Sequence, residues 1–386
     1  MNRFKKSVLA ASMALCAVPV WGADKPPTLG DVLQASGITF SGYIDTSYSY
    51  LTGSGQFVNP ATNAPVGPDR VYDAQHNGFD LHTIDLSASY LPASGFGGMT
   101  QLDYGTDAAV NSAAGLPGAA AGTPTEVDVQ QAYFQYATGP WTVMAGKYDT
   151  LAGEEVITSP LDYNFTRGIL FGYAIPSTHT GVRAAYALND NYKLIAGINN
   201  GWNVVTPTAT SGYGKTLELG LQATPVKPLS ITADIYSGDA GGFVSGTAAP
   251  SGIVGRRDLL DLVVSYNVTD ALTLAAEGDE GQQQDAIAAG SSAKWDGVGG
   301  YANYAINTLW RVAGRLEYFD DKNGFTTGIA QKWKEGTLTL AYLPTSQMEL
   351  RGEVRYDKSD KSVFGMVSGA PKDSQSSVGV EALYKF

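Results

Sequence analysis

The sequence predicts an all-β protein, a transmembrane antiparallel up-and-down β-barrel of about sixteen strands. Three observations support this fold class. Segments of about ten residues alternate apolar and polar side chains, as strands do when one face meets lipid and the other meets water. Tyr and Trp collect at the ends of the apolar faces, where interfacial girdles form. Short connections alternate with long ones rich in Gly, Ala and Pro, which is typical of short periplasmic turns and long outer loops.

The composition agrees with a barrel and excludes other classes. The chain contains 46 Gly and 22 Tyr but a single Cys, and its net charge is -12. A general nucleic-acid binder carries a basic stripe, so we expect no nucleic-acid partner. Beyond the N-terminal segment no apolar run reaches the roughly 20 residues that a membrane-spanning helix needs.

The first 22 residues have the layout of a signal peptide. Basic residues up to Lys6 precede a short apolar run, and Gly22 lies at a small-residue exit. We therefore expect residues 1–22 to be removed on export. Cys16 lies in this segment, so the mature chain has no cysteine. A lipoprotein anchored at Cys16 is the alternative, and the bulky Leu15 before it disfavours such processing.

Residues 23–36 are expected to form a short periplasmic or plug segment ahead of a barrel over residues 37–386. Within it, residues 28–36 have the pattern of one helical turn or two, with Thr28 as a candidate cap.

The clearest alternation lies between Met348 and Asp357. Leu350 and Val354 fall on one face, and Arg351 and Glu353 fall on the other. A helix would scatter both sets around its circumference. Similar splits recur over residues 310–319, 260–266 and 229–235.

Sixteen strand starts follow from this alternation. They are Gly37, Gly78, Phe96, Glu126, Trp141, Thr178, Tyr192, Tyr213, Leu229, Arg256, Ala271, Lys294, Leu309, Gly336, Gln347 and Ser374. The long outer connections are predicted at 52–77, 106–124, 150–176, 201–212, 238–255, 281–292, 320–334 and 358–373. The third and twelfth strands are rich in glycine, and fourteen strands is the alternative count if either fails.

One stretch of the chain resembles a known family. The stretch runs from Gly146 to Arg183, and its segments are Gly146-Lys147-Tyr148, Ala152-Gly153-Glu154-Glu155-Val156, Asn164-Phe165-Thr166-Arg167 and Ile175-Pro176-Ser177-Thr178-His179-Thr180-Gly181-Val182-Arg183. It is similar to the OmpL-like β-barrel porin 2 family. Weaker similarities in other short segments extend the resemblance over nearly the whole mature chain. The resemblance implies an outer-membrane barrel of porin-like character, and it does not supply a substrate.

The last residues resemble the aromatic-ended final strand that barrel-assembly machinery recognises. Tyr384 and Phe386 are the residues expected to make that contact, although Glu381 stands where the usual signal has glycine.

Enzyme chemistry is disfavoured by the residues available. The three histidines, His76, His82 and His179, form no closely spaced pair of the zinc-helix type, and the mature chain has no thiolate. A Ser-His hydrolase in the barrel wall is the enzymatic alternative. Adjacent acids such as Glu154-Glu155 and Asp320-Asp321 are typical of solvated loops, so we expect no metal site and no cofactor.

The strongest functional signal is the charge on the predicted lumen face. A cation facing lipid at mid-depth costs about 2–4 kcal/mol, so charged side chains should point inward. The predicted pore-lining residues are Asp45, Asp85, Asp103, Lys147, Arg183, Lys193, Asp234, Asp261, Glu277, Arg311, Arg315, Glu317, Glu349, Arg351, Glu353, Arg355 and Asp357. Four arginines lie on two nearby strands, and either they form a basic ladder that acts on a passing solute or the neighbouring acids neutralise them.

The loop from Thr150 to Pro176 is a candidate constriction. It contains Glu154, Glu155 and Arg167 within the family-like block. We hypothesise that it folds into the lumen and narrows it.

Together these features predict an exported protein of the Gram-negative outer membrane. Its partners would be outer-membrane lipid and small polar solutes. The predicted function is passive diffusion of small hydrophilic solutes or ions through a water-filled lumen, because sixteen strands leave room for a channel. The alternatives are a solute-selective channel and a surface receptor or adhesin barrel without transport.

Overall fold

The computed structural model describes residues 28–112, 125–207, 214–239, 255–288 and 290–386. The predicted signal peptide at residues 1–22 lies outside these ranges, as do parts of the predicted loops after residues 112, 207 and 239. The chain divides into two units, Met1–Ile38 and Thr39–Phe386. In the first unit, helix α1 covers Leu29–Ser36, where the helical pattern was found. None of the helices described is long and apolar enough to cross a membrane.

The second unit is built from antiparallel strands. In chain order they are β1 (Thr39–Leu51), β2 (Gly53–Val58), β3 (Pro65–Pro68), β4 (Asn77–Tyr90), β5 (Gly95–Tyr104), β6 (Val127–Thr138), β7 (Trp141–Asp149), β8 (Thr178–Asn189), β9 (Tyr192–Asn199), β10 (Thr216–Val226), β11 (Leu229–Asp239), β12 (Arg256–Asn267), β13 (Leu272–Ala288), β14 (Ser291–Ala305), β15 (Trp310–Asp321), β16 (Gln331–Tyr342), β17 (Met348–Ser359), β18 (Phe364–Met366) and β19 (Ser374–Lys385). Two short helices, α2 (Thr106–Asn111) and α3 (Ile169–Tyr173), and a 3₁₀ turn at Ser159–Leu161 lie in the loops.

Within the described ranges, sixteen of these strands close into one barrel. Each pairs with its neighbour along the chain, and β1 completes the ring by pairing with both β4 and β19. Both glycine-rich strands are present, as β5 and β14, so the count of sixteen is confirmed and fourteen is wrong.

The outer face of the barrel is apolar. Leu338, Val354 and Val378 lie opposite one another on β16, β17 and β19, and each is at least 50% exposed. Large hydrophobic residues exposed in such continuous rows are typical of a surface that meets lipid.

Two predicted boundaries need correction. Strand β16 begins at Gln331 instead of Gly336, because lysines at 332 and 334 occupy the outward positions and hide the alternation. The predicted loop at 281–292 is mostly strand, since β13 continues to Ala288 and β14 begins at Ser291. Residues 281–285 of this extension are Gly-Gln-Gln-Gln-Asp, so they carry no two-residue hydrophobic signal.

A second, smaller sheet was not predicted. Strands β2 and β3 of the first long loop pair with β18 of the last long loop. Phe57 and Phe364 of this sheet pack with Trp333 of the barrel wall, with ring centroids 5.0 Å apart for Phe57 and Trp333. The long-loop end of the barrel therefore has an aromatic core of its own.

The alternation can be tested with spin labels, because removal of Cys16 with the signal peptide would leave a cysteine-free chain. We expect single labels at Leu338 and Val354 to respond to a lipid-soluble quencher in liposomes. Labels at Lys193 and Gln222, near the short-turn end of the inward face, should respond to a water-soluble quencher. The opposite assignment, read by electron paramagnetic resonance, would contradict the orientation of the barrel wall.

Candidate functional site

The predicted charged residues lie on the inner side of the wall, and nearly all are buried. The buried residues of this set are Asp45, Asp85, Asp103, Lys147, Arg183, Asp234, Asp261, Glu277, Arg315, Glu317, Glu349, Arg351, Glu353, Arg355 and Asp357. Arg311 is partly buried, and Lys193 is exposed near the short-turn end. Burial this complete means that other parts of the protein cover these side chains.

The loop of residues 150–177, between β7 and β8, supplies much of that cover. Its buried residues include Ile157, Phe165, Ile169, Leu170 and Ile175. Gly168 has no side chain at a position where a Cβ would lie 2.3 Å from a carboxylate oxygen of Glu317 on β15. The loop therefore lies inside the barrel, against the wall.

The arginine cluster, defined as Arg311, Arg315, Arg351 and Arg355, lies on β15 and β17. Its members form ion pairs with neighbouring acids. The pairs are Arg315 with Glu335 (2.9 Å) and Glu155 (2.5 Å), Arg351 with Glu349 (2.7 Å) and Glu381 (3.1 Å), Arg355 with Asp357 (2.8 Å), and Arg311 with Glu349. Acids of the same wall, together with Glu155 of the loop, therefore neutralise much of the predicted basic ladder.

The same arginines donate to carbonyl groups of the loop. Arg351 donates to the carbonyls of Asp162 (2.7 Å) and Asn164 (3.1 Å). Arg315 donates to the carbonyl of Thr166, and Arg355 to that of Arg167, at 2.5 and 2.6 Å. The loop thus covers these arginines. Their hydrogen bonds hold the loop against the wall, and they do not form a basic row open to a passing solute.

Wall carboxylates hold the loop through its amide groups. Glu353 accepts hydrogen bonds from the amides of Phe165 (2.7 Å) and Thr166 (3.1 Å). Glu317 accepts a hydrogen bond from the amide of Ile169. Hydrogen bonds to charged groups contribute roughly 1.5–3 kcal/mol each, and here they replace the water that a buried loop has lost.

Two of the predicted loop residues, Glu155 and Arg167, make contacts within the loop itself. Arg167 pairs with Asp162 at 2.9 Å and donates to the carbonyls of Val156 and Ile157. Glu155 accepts a hydrogen bond from the amide of Gly168 at 2.5 Å.

The side chain of Glu154 is less buried than those of Glu155 and Arg167. Burial, reinforced by the carboxylates of Asp162 and Glu155, raises the pKa of Glu154 to about 7. The loop therefore carries less than its full formal negative charge near neutral pH.

The remaining predicted residues lie in other sectors of the wall. Asp45, Asp85 and Asp103 lie on the neighbouring strands β1, β4 and β5. Lys147 pairs with Asp128 at 3.0 Å, and Arg183 pairs with Glu218 at 2.7 Å. Asp234, Asp261 and Glu277 lie on β11, β12 and β13.

A hydrogen-bonded row joins Ser47, His82 and Asp107. The Ser47 hydroxyl lies 2.7 Å from His82 Nε2, and His82 Nδ1 lies 2.9 Å from an Asp107 carboxylate oxygen. This is the atom order of a hydrolase triad, which also needs donors for an oxyanion. Ser47 is 5% exposed and lies directly opposite Glu381, whose carboxylate would repel an oxyanion. The row instead ties α2 to the wall.

Sequence reasoning missed several residues of this interior. Arg70 of the first long loop pairs with Asp357 at 2.8 Å, and Glu335 pairs with Arg315. Arg70 lies in a loop without periodicity, and Glu335 lies between the predicted loop that ends at residue 334 and the predicted strand start at Gly336. Only the inward phase of Glu335 could have identified it.

Known proteins that are similar to this chain share its barrel. A family model described as "Putative beta-barrel porin-2, OmpL-like" matches residues 37–386. No curated protein matches the chain. The outer membrane channel DcaP of Acinetobacter baumannii is 15% identical, with a TM-score of 0.60 over 90% of this chain and 97% of that chain. OmpT, an outer membrane protein of Vibrio cholerae, is 13% identical, with a TM-score of 0.59 over 90% and 97%.

A third solved structure completes the comparison. The anion-selective porin from Comamonas acidovorans is 14% identical, with a TM-score of 0.57 over 90% of this chain and 99% of that chain. At these identities the likeness shows the fold alone.

The attachment of the 150–177 loop to the wall by Arg351 can be tested with Arg351→Ala. The substitution removes the donor to the loop carbonyls and leaves buried Glu381 without its arginine, and breaking a buried pair costs about 3–5 kcal/mol. We expect trypsin to cut after Arg167 in the folded variant but not in the native protein, where Arg167 is 3% exposed. Mass spectrometry of the fragments would identify the cut.

The matched control is Arg256→Ala, which removes an arginine whose side chain is 54% exposed and pairs with Asp258 at the rim. It should leave Arg167 uncut. Equal cutting of the native protein and of Arg351→Ala would contradict the role of Arg351 in holding the loop against the wall.

Proposed function

Because the chain belongs to the OmpL-like β-barrel porin-2 family, we propose that it is an outer-membrane porin through which small hydrophilic solutes and ions diffuse passively. The observation that carries the proposal is a closed sixteen-strand barrel with its ionised side chains on the inner face. A barrel of this size leaves an aqueous channel, whereas about eight strands would be filled by side chains. The proposed function involves no chemical turnover and no cofactor.

The proposed location is the outer membrane of a Gram-negative bacterium, reached after cleavage of the signal peptide at residues 1–22. The apolar rows on the outer face support a lipid environment. Tyr384 and Phe386 end β19 and its tail, where the proposed contact with the assembly machinery would form.

The 150–177 loop is proposed to be the constriction of this channel. It contacts β15 and β17 through the arginine cluster and β11 to β13 through its first residues, so the path for solute lies toward β6 and β7. The inward side chains of Tyr133 and Met144 on these strands are partly exposed, which supports an opening there. In this proposal the predicted pore-lining groups act on a solute only where the loop leaves them uncovered.

A weak preference for cations is proposed. The chain has a net charge of -12, and the arginine cluster is largely neutralised by its own ion pairs. Salt screens exposed charges over about 8 Å at physiological ionic strength, so the preference should be modest.

A solute-selective channel is the second candidate, and the aromatic core at the long-loop end favours it. Trp202, Trp295 and Trp333 are fully buried there, and Trp295 donates to the carbonyl of Ala174 at 3.0 Å. Loops packed this tightly leave less room for indiscriminate diffusion.

Reconstitution into planar bilayers tests the proposal. We expect stepwise conductance, and under a KCl gradient a reversal potential that indicates a weak cation preference. Arg351→Ala should raise the single-channel conductance because its loop is released, whereas Arg256→Ala should not change it. Negligible conductance from the folded native protein would contradict a porin and favour a receptor or adhesin.

A further inference from the structure

Four carboxylate side chains gather on three adjacent strands of the wall. Asp234 on β11 lies directly opposite Asp261 on β12, and Asp261 lies opposite Asp279 on β13. Glu277 lies two residues from Asp279 on the same inward face. These four residues, here called the acidic cluster, are between 0% and 5% exposed.

The 150–177 loop donates hydrogen bonds to only some of the carboxylate oxygens of the acidic cluster. Asp261 accepts a hydrogen bond from the amide of Gly153 at 3.2 Å. Glu277 accepts hydrogen bonds from the amide of Glu154 (3.0 Å) and from the hydroxyl of Tyr301 (2.8 Å). Gly153 has a φ of 93°, a conformation that favours glycine, and its turn presents both amides to the wall.

The other oxygens of the acidic cluster receive no hydrogen bond from an amide, a hydroxyl or a basic side chain. They are both oxygens of Asp234, both oxygens of Asp279, Oδ2 of Asp261 and Oε1 of Glu277. Among the described residues no cation pairs with the cluster, and Arg183 and Arg315 pair with other acids. The arginine cluster shows the contrast, because there the buried acids have basic partners.

The carboxyl groups of the acidic cluster also meet one another. One oxygen from each of Asp261, Glu277 and Asp279 lies within 4.8 Å of the others. Asp234 lies outside this trio, is 2% exposed and lies directly opposite Asp261, and its two carboxyl oxygens have no amide, hydroxyl or basic donor. Buried carboxylates in contact require a positive charge between them, either protons or a cation.

We propose that the acidic cluster binds one calcium ion, which fastens the start of the 150–177 loop to the barrel wall. The ligands are all carboxylate oxygens, the donors that calcium prefers, and the cluster has no nitrogen or sulfur donor for a transition metal. Calcium takes 6–8 oxygens at about 2.3–2.6 Å, so oxygens on opposite sides of the ion lie about 4.6–5.2 Å apart. Magnesium usually keeps several waters and is rarely held in a cage made only of protein ligands.

The ion would neutralise the oxygens that the loop leaves unpartnered. The amides of Gly153 and Glu154 bind the other oxygens of Asp261 and Glu277, so the loop and the ion hold the same two carboxylates. Calcium binding therefore stabilises the folded loop, and removal of calcium loosens it.

Calorimetry on the full chain tests the proposal. Protein refolded in detergent free of lipopolysaccharide is treated with EDTA, dialysed and titrated with calcium chloride. We expect one calcium site per chain. We also expect the barrel to unfold at a higher temperature with calcium than with EDTA, as measured by heat-modified mobility on a gel. Asp261→Asn combined with Asp279→Asn should weaken binding at least tenfold.

The matched control is Asp85→Asn combined with Asp103→Asn, which changes a second buried pair of acids opposite one another on adjacent strands, β4 and β5. It should keep the calcium site. If the first double variant does not fold, Asp279→Asn alone replaces it. Two results would overturn the proposal: no calcium uptake by the native protein, as expected if protons alone occupy the cluster, or equal uptake by the native protein and the cluster variant.

Discussion

The exclusion of ionised side chains from lipid is the constraint on which the rest of this structure depends. Two-residue alternation offers each strand one lipid-facing side, and a cation there costs about 2–4 kcal/mol at mid-depth. The acids and bases of sixteen strands therefore share one enclosed interior. There they need partners, because an unpaired buried charge is expensive. The 150–177 loop meets that need by giving carbonyls to Arg315 and Arg351 and amides to Glu353.

The same constraint explains why the fold was predictable and much of the site was not. Alternation is local, so the inward phase of Arg351 and the outward phase of Val354 follow from neighbouring residues. The partners are not local: Arg315 meets Glu155 from a distant part of the chain. Charged residues on the outward side of β16 concealed Glu335. The inward phase of the arginine cluster can therefore be derived from its own strands, whereas its contact with the loop cannot.

The interior is divided by strand sector. Strands β15 and β17 carry the arginine cluster, which binds loop carbonyls, while β12 and β13 carry acids that accept hydrogen bonds from the Gly153 and Glu154 amides. The net charge of the lumen is therefore a poor guide to the field along a channel, because paired groups cancel locally. The groups that the loop leaves uncovered would set that field. In the proposed porin, selectivity would therefore depend more on the position of this loop than on the total charge of the lumen.

The central claim is that wall carboxylates hold the 150–177 loop inside the barrel. Amide hydrogen exchange of the folded protein in detergent tests this most directly, because the Phe165 and Thr166 amides donate to Glu353. We expect both amides to exchange as slowly as amides within β17, and orders of magnitude more slowly than that of Val367, which is 60% exposed. Exchange of Phe165 and Thr166 at the rate of Val367 would contradict the claim.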